Sequence, residues 1–253
     1  MPKLSIVIIC YNQLSYIKYQ IQAFEYIYKN TIQDFEIIIV DDGSSDGTGN
    51  YVGKKINEVP FEMRYIWQED KGFRAGLAKN KGVQDAKGLY TMILDGDDFP
   101  SRHTFLPYFR LIGKMPKWIW HQIGFMGIRW RIDKECVEHP YSYDEIDKFV
   151  VKKEDWRGNK GNIPPNYTHH FSGSNFMLPT ETFKKIKWPE LKGFGYDDWI
   201  FSAYFITQGG KWIAVNEAIS YHVDHPNTEG DEKNRELWLK AKKEIDKFNE
   251  SFK

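Results

Sequence analysis

Leu89-Tyr90-Thr91-Met92-Ile93-Leu94-Asp95-Gly96-Asp97-Asp98 is an apolar run that empties into three carboxylates. A run of this length fits a strand, and the Asp-Gly step at its end fits a turn. Like charges this close repel unless hydrogen bonds or a bound cation offset them. The stretch therefore reads either as an acidic turn at a strand end or as the rim of a divalent-metal site, and such a cation points in turn to a phosphate-bearing ligand.

Upstream, strand and helix signals alternate. Ser5–Cys10 is a β-branched apolar run, and after it Ile17, Ile21, Phe24 and Tyr28 recur at helical spacing. Glu36–Val40 is a second strand, followed by Asp41-Asp42-Gly43-Ser44-Ser45-Asp46-Gly47-Thr48, a turn whose Ser44 or Ser45 can cap the next helix. Arg64–Trp67 predicts a third strand, Ala75–Ala86 a helix and Leu89–Leu94 a fourth strand. The order β-α-β-α-β-α-β implies an α/β fold with parallel strands joined by right-handed crossovers. Ligands of such sheets bind beyond the carboxyl ends of the strands, where Tyr11, Asp42, Asp70 and Asp95 to Asp98 all fall.

Downstream, Phe105 to Tyr167 is irregular and rich in Trp, Tyr and Pro, and reads as helices and loops covering one side of the site. Phe171–Leu178 resumes strand character, Thr180–Ile186 and Trp199–Thr207 predict helices, and Lys211–Val215 and Ala218–Val223 predict two short strands. The charged tail places Leu237, Ala241, Ile245 and Phe248 on the apolar stripe of an amphipathic helix packed on the domain surface.

Taken together, Ser5-Ile6-Val7-Ile8-Ile9-Cys10-Tyr11-Asn12, Val40-Asp41-Asp42-Gly43-Ser44-Ser45-Asp46-Gly47-Thr48, Ala78-Lys79-Asn80-Lys81-Gly82 and the DXD-like Asp95-Gly96-Asp97-Asp98 resemble a family 2 glycosyltransferase. Two islands extend the likeness, Phe194-Gly195-Tyr196-Asp197-Asp198 and Tyr221-His222. The resemblance implies the GT-A fold, a Rossmann-like, mostly parallel central sheet flanked by helices. It also implies an inverting, metal-dependent transfer of sugar from a nucleotide-diphospho-sugar to the hydroxyl of a glycan or glycoconjugate. We expect a GT-A domain over residues 1–226, with a nucleotide-binding half (1–104) and an acceptor and catalytic half (105–226), then a charged helix at 227–253.

The same resemblance suggests roles. Tyr11 and Asn12 line the nucleotide pocket, and Asp42 accepts from uracil N3–H, which suits a group that can only accept. Asp70 stands at the same rim, Arg74 and Lys79 meet the diphosphate or base, and Lys79 takes the place where relatives more often carry Arg. Asp95 lies near the ribose or metal, while Asp97 coordinates Mn²⁺ or Mg²⁺ with His222 as a further ligand and His225 as its competitor. Asp198 is the general base and Asp197 orients the acceptor, Asp replacing the usual Glu at 197; helix capping is the other reading of that pair. Ser172 to Phe176 forms a strand along the donor sugar, and His169 and His170 touch the acceptor.

Composition bounds the rest. In 253 residues, Lys and Arg match Asp and Glu at 35 each, so no global field favours nucleic acid or an anionic membrane, and any anion binding is local. No run approaches the ~20 apolar residues of a membrane span, and no signal-peptide pattern opens the chain, which suggests a cytoplasmic protein. Cys10 and Cys136 form neither a disulfide framework nor a zinc spacing. Asn166-Tyr167-Thr168 fits a glycosylation sequon by chance. The competing functions are a retaining transferase of the same fold, a nucleotide-sugar-binding module without catalysis, and a nucleotidyltransferase. The last would carry a Gly-rich basic loop after the first strand, where Tyr11-Asn12-Gln13 stands instead.

Overall fold

The computed structural model describes residues 3–138, 143–153, 171–225 and 230–250. His169, His170, the Asn166 sequon and the side chains of Ile245 and Phe248 lie outside the described set. The chain runs β1 (Leu4–Cys10), α1 (Leu14–Asn30), β2 (Phe35–Asp41), α2 (Thr48–Lys55), β3 (Glu62–Trp67), α3 (Ala75–Asp85), β4 (Tyr90–Asp95), β5 (Asp98–Pro100) and α4 (Phe105–Lys114). It continues through β6 (Ile123–Ile132), α5 (Glu135–Glu138), β7 (Val150–Lys152), β8 (Phe176–Pro179), α6 (Thr180–Ile186), α7 (Asp197–Thr207), β9 (Lys211–Val223) and α8 (Glu232–Glu250).

Nine strands form one sheet in the order β3-β2-β1-β4-β8-β6-β9-β5, with β7 on β6. β1, β2, β3 and β4 pair in parallel, as do β6 and β9, while β8 runs antiparallel between β4 and β6. Helices cover both faces. Ile6, Ile8, Ile37 and Ile39 point to the side where Ile17, Ile21 and Phe24 of α1 pack, and Val7, Ile38, Val40 and Ile93 point to the side of α3, Trp188 and Phe201. Burial on both faces explains why these strands read as continuous apolar runs.

Several expectations change. The stretch read as helices and loops contains β6, a ten-residue strand between β8 and β9. Two glycines and two arginines interrupt its apolar pattern, so neither period shows. The two short strands near 211–223 are one strand, paired with β6 across a register shift. β8 starts only at Phe176, because Asn175 takes a left-handed φ of 51° and spends its amide on the carbonyls of Ile128 and Ala218. Before α2, Asp46 accepts from the Thr48 and Leu14 N–H groups, and Ser44 Oγ instead accepts from Asn12 N–H, so neither serine caps that helix. In α8 the buried stripe is Asn234 and Trp238 with Ala241 against the core, while Leu237 is 44% exposed. A tryptophan buries more area than a leucine, and a paired amide can be buried beside it. Among the described residues, no helix is long and apolar enough to cross a membrane.

Candidate active site

Strand ends build the site. β1 delivers Tyr11, whose half-exposed ring donates its hydroxyl to Asp70 Oδ2 (2.9 Å), and Asp70 Oδ1 accepts from Gly72 N–H (3.0 Å). The Gly72 N–H and the Tyr11 hydroxyl hold Asp70 below the usual carboxylate range. β2 delivers Asp42, nearly buried, which accepts from Gln68 Nε2 (2.6 Å) and Arg74 N–H (3.0 Å). Each oxygen keeps a lone pair for a further donor.

The acidic turn divides its three carboxylates. Gln20 of α1, fully buried, ties the turn down by donating to the carbonyls of Asp95 (2.8 Å) and Asp98. Asp98 opens β5 directly opposite His222 of β9, faces inward and is fully buried. Its oxygens lie 3.2 Å from the Arg129 guanidinium and 3.1 Å from His222 Nδ1. Burial alone would raise the Asp98 pKa, but Arg129 and His222 outweigh it and hold the group well below its ordinary value. Asp95 stays partly exposed, 4.0 Å from Arg129. Burial first, then Asp98 and Asp97 against Lys79 and Arg129, push its pKa up to about 7. Asp97 turns the other way, its oxygens 3.7 Å from His222 Nδ1 and 3.5 Å from His225 Nε2.

The second half comes from the start of α7. Tyr196 precedes it with a left-handed φ of 66°, and Asp197 and Asp198 form the first turn. Asp197 Oδ2 accepts from Trp188 Nε1 (2.7 Å) and lies 3.8 Å from Lys79 Nζ, which also sits 4.0 Å above the Trp188 ring. Asp198 Oδ1 accepts from Trp199 N–H (2.8 Å). Burial, then the adjacent Asp197, push the Asp198 pKa up to about 7 against the opposing pull of Lys79. A carboxylate poised there can take a proton near neutrality.

One cavity of about 530 Å³ joins these parts. Tyr11, Asp42, Asp70, Lys79, Asp95, Asp97, Asp197, Asp198 and His222 all line it; Asn12 and Arg74 do not. Asn12 clamps two turns together, its N–H on Ser44 Oγ and its Oδ1 receiving Ser45 N–H. Arg74 holds Asp42 through its backbone and turns its guanidinium to the Glu69 carbonyl. Lys79, expected at the diphosphate or base, lines the cavity with its ammonium beside Asp197 and Trp188. Sequence reading missed Arg129, which also lines the cavity, and Trp188; recognising β6 as a strand beside β9 is the signal that finds Arg129. Cys10 reaches the cavity wall, but burial, followed by Asp41, raises its thiol far above the reactive range.

A sequence model of Glycosyl transferase family 2 matches residues 5–187. The chain belongs to this family. Among curated relatives of the glycosyltransferase, GlyG of Streptococcus pneumoniae is 30% identical over 212 residues, 79% of this chain and 64% of its own. A chondroitin synthase of Escherichia coli is 26% identical over 90% of this chain and 36% of its own. The chain thus spans less than two thirds of these relatives. S. aureus TarS 1–349, solved in complex with UDP, has the same fold, with a TM-score of 0.70 at 17% identity over 95% of this chain and 64% of that one. The family 2 match ends before Asp197, Asp198, His222 and His225, so the far side of the cavity rests on geometry alone.

Proposed function

We propose that this glycosyltransferase moves a sugar from a UDP-sugar to an acceptor hydroxyl with inversion at the anomeric carbon, dependent on a divalent cation, in polysaccharide or glycoconjugate synthesis. The observation that carries the reading is the single cavity on which Tyr11, Asp42, Asp95, Asp97 and Asp198 converge from four separate chain segments. That TarS was solved with UDP and with UDP-GlcNAc supports the choice of donor.

The donor set suits Mn²⁺ or Mg²⁺. Asp97, His222 and His225 each offer a ligand atom within 4.8 Å of the others, and the Asp98 carboxylate stands 3.1 Å from His222 Nδ1, where it orients the imidazole. Two imidazoles beside one carboxylate favour Mn²⁺ over Mg²⁺. When bound, such a cation supplies positive charge to the diphosphate. The Tyr11 ring stacks on the base, and the remaining lone pairs of Asp42 receive uracil N3–H. Asp198 takes the proton of the acceptor hydroxyl as that oxygen attacks the anomeric carbon from the face opposite the leaving diphosphate. Asp197, locked by Trp188, orients the acceptor. Two free, buried cysteines fit a reducing compartment, and we assign the reaction to the cytoplasm.

A thermal-shift panel of UDP-, GDP-, TDP- and ADP-sugars with and without Mn²⁺ tests the reading. A ligand at 100 times its Kd stabilises by about 2.7 kcal/mol, and the UDP-sugar arm with Mn²⁺ should show it. Proton NMR of the product then shows inversion. Failure of every nucleotide sugar to bind, or retention of configuration, overturns the proposal.

A further inference from the structure

The loop that presents Asp197 and Asp198 does not hold its own shape. Gly193, Gly195 and Tyr196 all have positive φ, at 87°, 92° and 66°. A tyrosine in that region is strained, and such strain persists only where the surroundings fix it. The fixing comes from the start of α8. The Asp231 N–H donates to the Phe194 carbonyl (2.8 Å), and Asn234 Nδ2 donates to the Gly193 carbonyl (3.3 Å). Asp231 also opens α8, its carboxylate accepting from Lys233 N–H (2.9 Å), so one residue starts the helix and pins the loop.

Packing repeats the message. A Cβ on Gly195 would lie 2.8 Å from Gly230 Cα, and one on Gly230 would lie 2.5 Å from the Tyr196 ring. The two backbones touch with no room for a side chain between them. Tyr196 meets Trp199 edge-on at 5.3 Å, and Trp199 meets Trp238 of α8 at 5.5 Å. Asn234 and Trp238, at 3% and 6% exposure, are the most buried side chains of α8 among those described. A charged helix that served only to cover the surface would have no need to bury an asparagine amide against a loop carbonyl.

We propose that the first turns of α8 are a positioning element for the Asp197–Asp198 pair, with Asn234 as the side chain that sets the loop. The inference rests on the reading of Asp198 as the base. Asn234 touches neither substrate nor reacting atoms; it acts by fixing Gly193, and through it the direction in which α7 starts.

Asn234→Ala and the near-isosteric Asn234→Asp, which cannot donate, test it. Misplacing a catalytic group by about 1 Å can cost on the order of 100-fold, so kcat should fall by at least about tenfold. UDP affinity by calorimetry should stay within about twofold, since Tyr11 and Asp42 lie on other strands. Amide hydrogen exchange at residues 195–199 should quicken while that of β1 and β2 holds. Asn234→Ser supplies the same measurements should Asn234→Ala fail to fold. An unchanged kcat in a folded variant overturns the proposal, as does a loss of kcat and UDP affinity together with faster exchange throughout. If Asp198→Asn keeps full transfer, the assignment of the base fails instead, and the exchange at residues 195–199 still decides whether α8 braces the loop.

Discussion

Replacing Lys79 by methionine separates two roles for one cation. At the diphosphate, its loss would weaken donor binding equally at every pH. The structure puts Nζ 3.8 Å from Asp197, and a Cβ on Gly173 would lie 2.9 Å from Nζ and 3.3 Å from Asp198 Cβ, so Lys79 and the proposed base face each other across that glycine. With Nζ no more than about 6 Å from Asp198 Cβ and an effective dielectric of roughly 20 to 40, the cation stabilises the carboxylate by about 1 to 3 kcal/mol. Removing it raises the Asp198 pKa, and a base with a raised pKa stays protonated to higher pH. The acidic limb of kcat/KM should therefore move from about 7 to roughly 8, with about fivefold less activity at pH 7 and recovery near pH 9. Methionine keeps the contact with the Trp188 ring, and Lys79→Arg should leave the limb in place. A kcat/KM profile taken at subsaturating acceptor across that range reads the result. A limb that stays put, or moves to lower pH, in folded Lys79→Met refutes the reasoning.

Other outcomes follow from the same geometry. Asp198→Asn should lower transfer by roughly 10²- to 10⁴-fold while UDP binding by calorimetry is kept; full activity removes the assignment. Asp97→Ala and His222→Ala should each weaken Mn²⁺-dependent UDP binding, and an unchanged metal requirement counts against the site. Gly173→Ala sets a methyl against Lys79 Nζ, whose flexible end can shift, so kcat should fall with melting temperature nearly unchanged. Arg64→Met leaves Glu36, fully buried, without the guanidinium 2.8 Å away, a loss of about 3 to 5 kcal/mol near pH 7 in urea titrations. Burial raises the Glu36 pKa, but Arg64, Ser5 and the Lys87 N–H together bring it below the ordinary value, so its contribution is present above the unfolded pKa and fades as pH falls through the folded one. In the variant burial dominates, Glu36 takes up a proton earlier, and the gap from the parent should narrow as pH falls.

What was legible in the sequence was what is local. β1 to β4 announce themselves because each is buried on both faces, and the polar clusters at their ends fall where a parallel sheet must put them. Tyr11, Asp42, Asp70, Asp95 and Asp97 could be placed at one rim from that alone. What was illegible depends on pairing between distant segments. Arg129 reaches the cavity only because β6 lies beside β9, and Trp188 reaches Lys79 and Asp197 behind the cavity wall only because the chain folds back over α3. The α8 stripe was misread by one residue, since apolar spacing favours Leu237 while the helix turns on a buried amide whose partner lies 41 residues away.

The acidic turn illustrates the limit best. Three carboxylates in four residues suggest a cation by repulsion alone, yet the fold disposes of one of them without any ion. Asp98 is drawn into the sheet, where Arg129 supplies the opposite charge. The argument from crowding therefore weakens to two carboxylates, and Asp95 relieves it further by its raised pKa of about 7. The case for a metal moves to a different observation: Asp97 alone is turned toward two histidines that leave β9 three residues apart. A site read from like-charge repulsion would have assigned Asp98 as a ligand. One read from the partners assigns it to holding His222, and Asp98→Asn should then loosen Mn²⁺ binding by about 10- to 100-fold, the effect of disturbing a residue behind a ligand. Mn²⁺ titration followed by electron paramagnetic resonance measures this directly, and an unchanged affinity in folded Asp98→Asn returns the third carboxylate to a purely structural place.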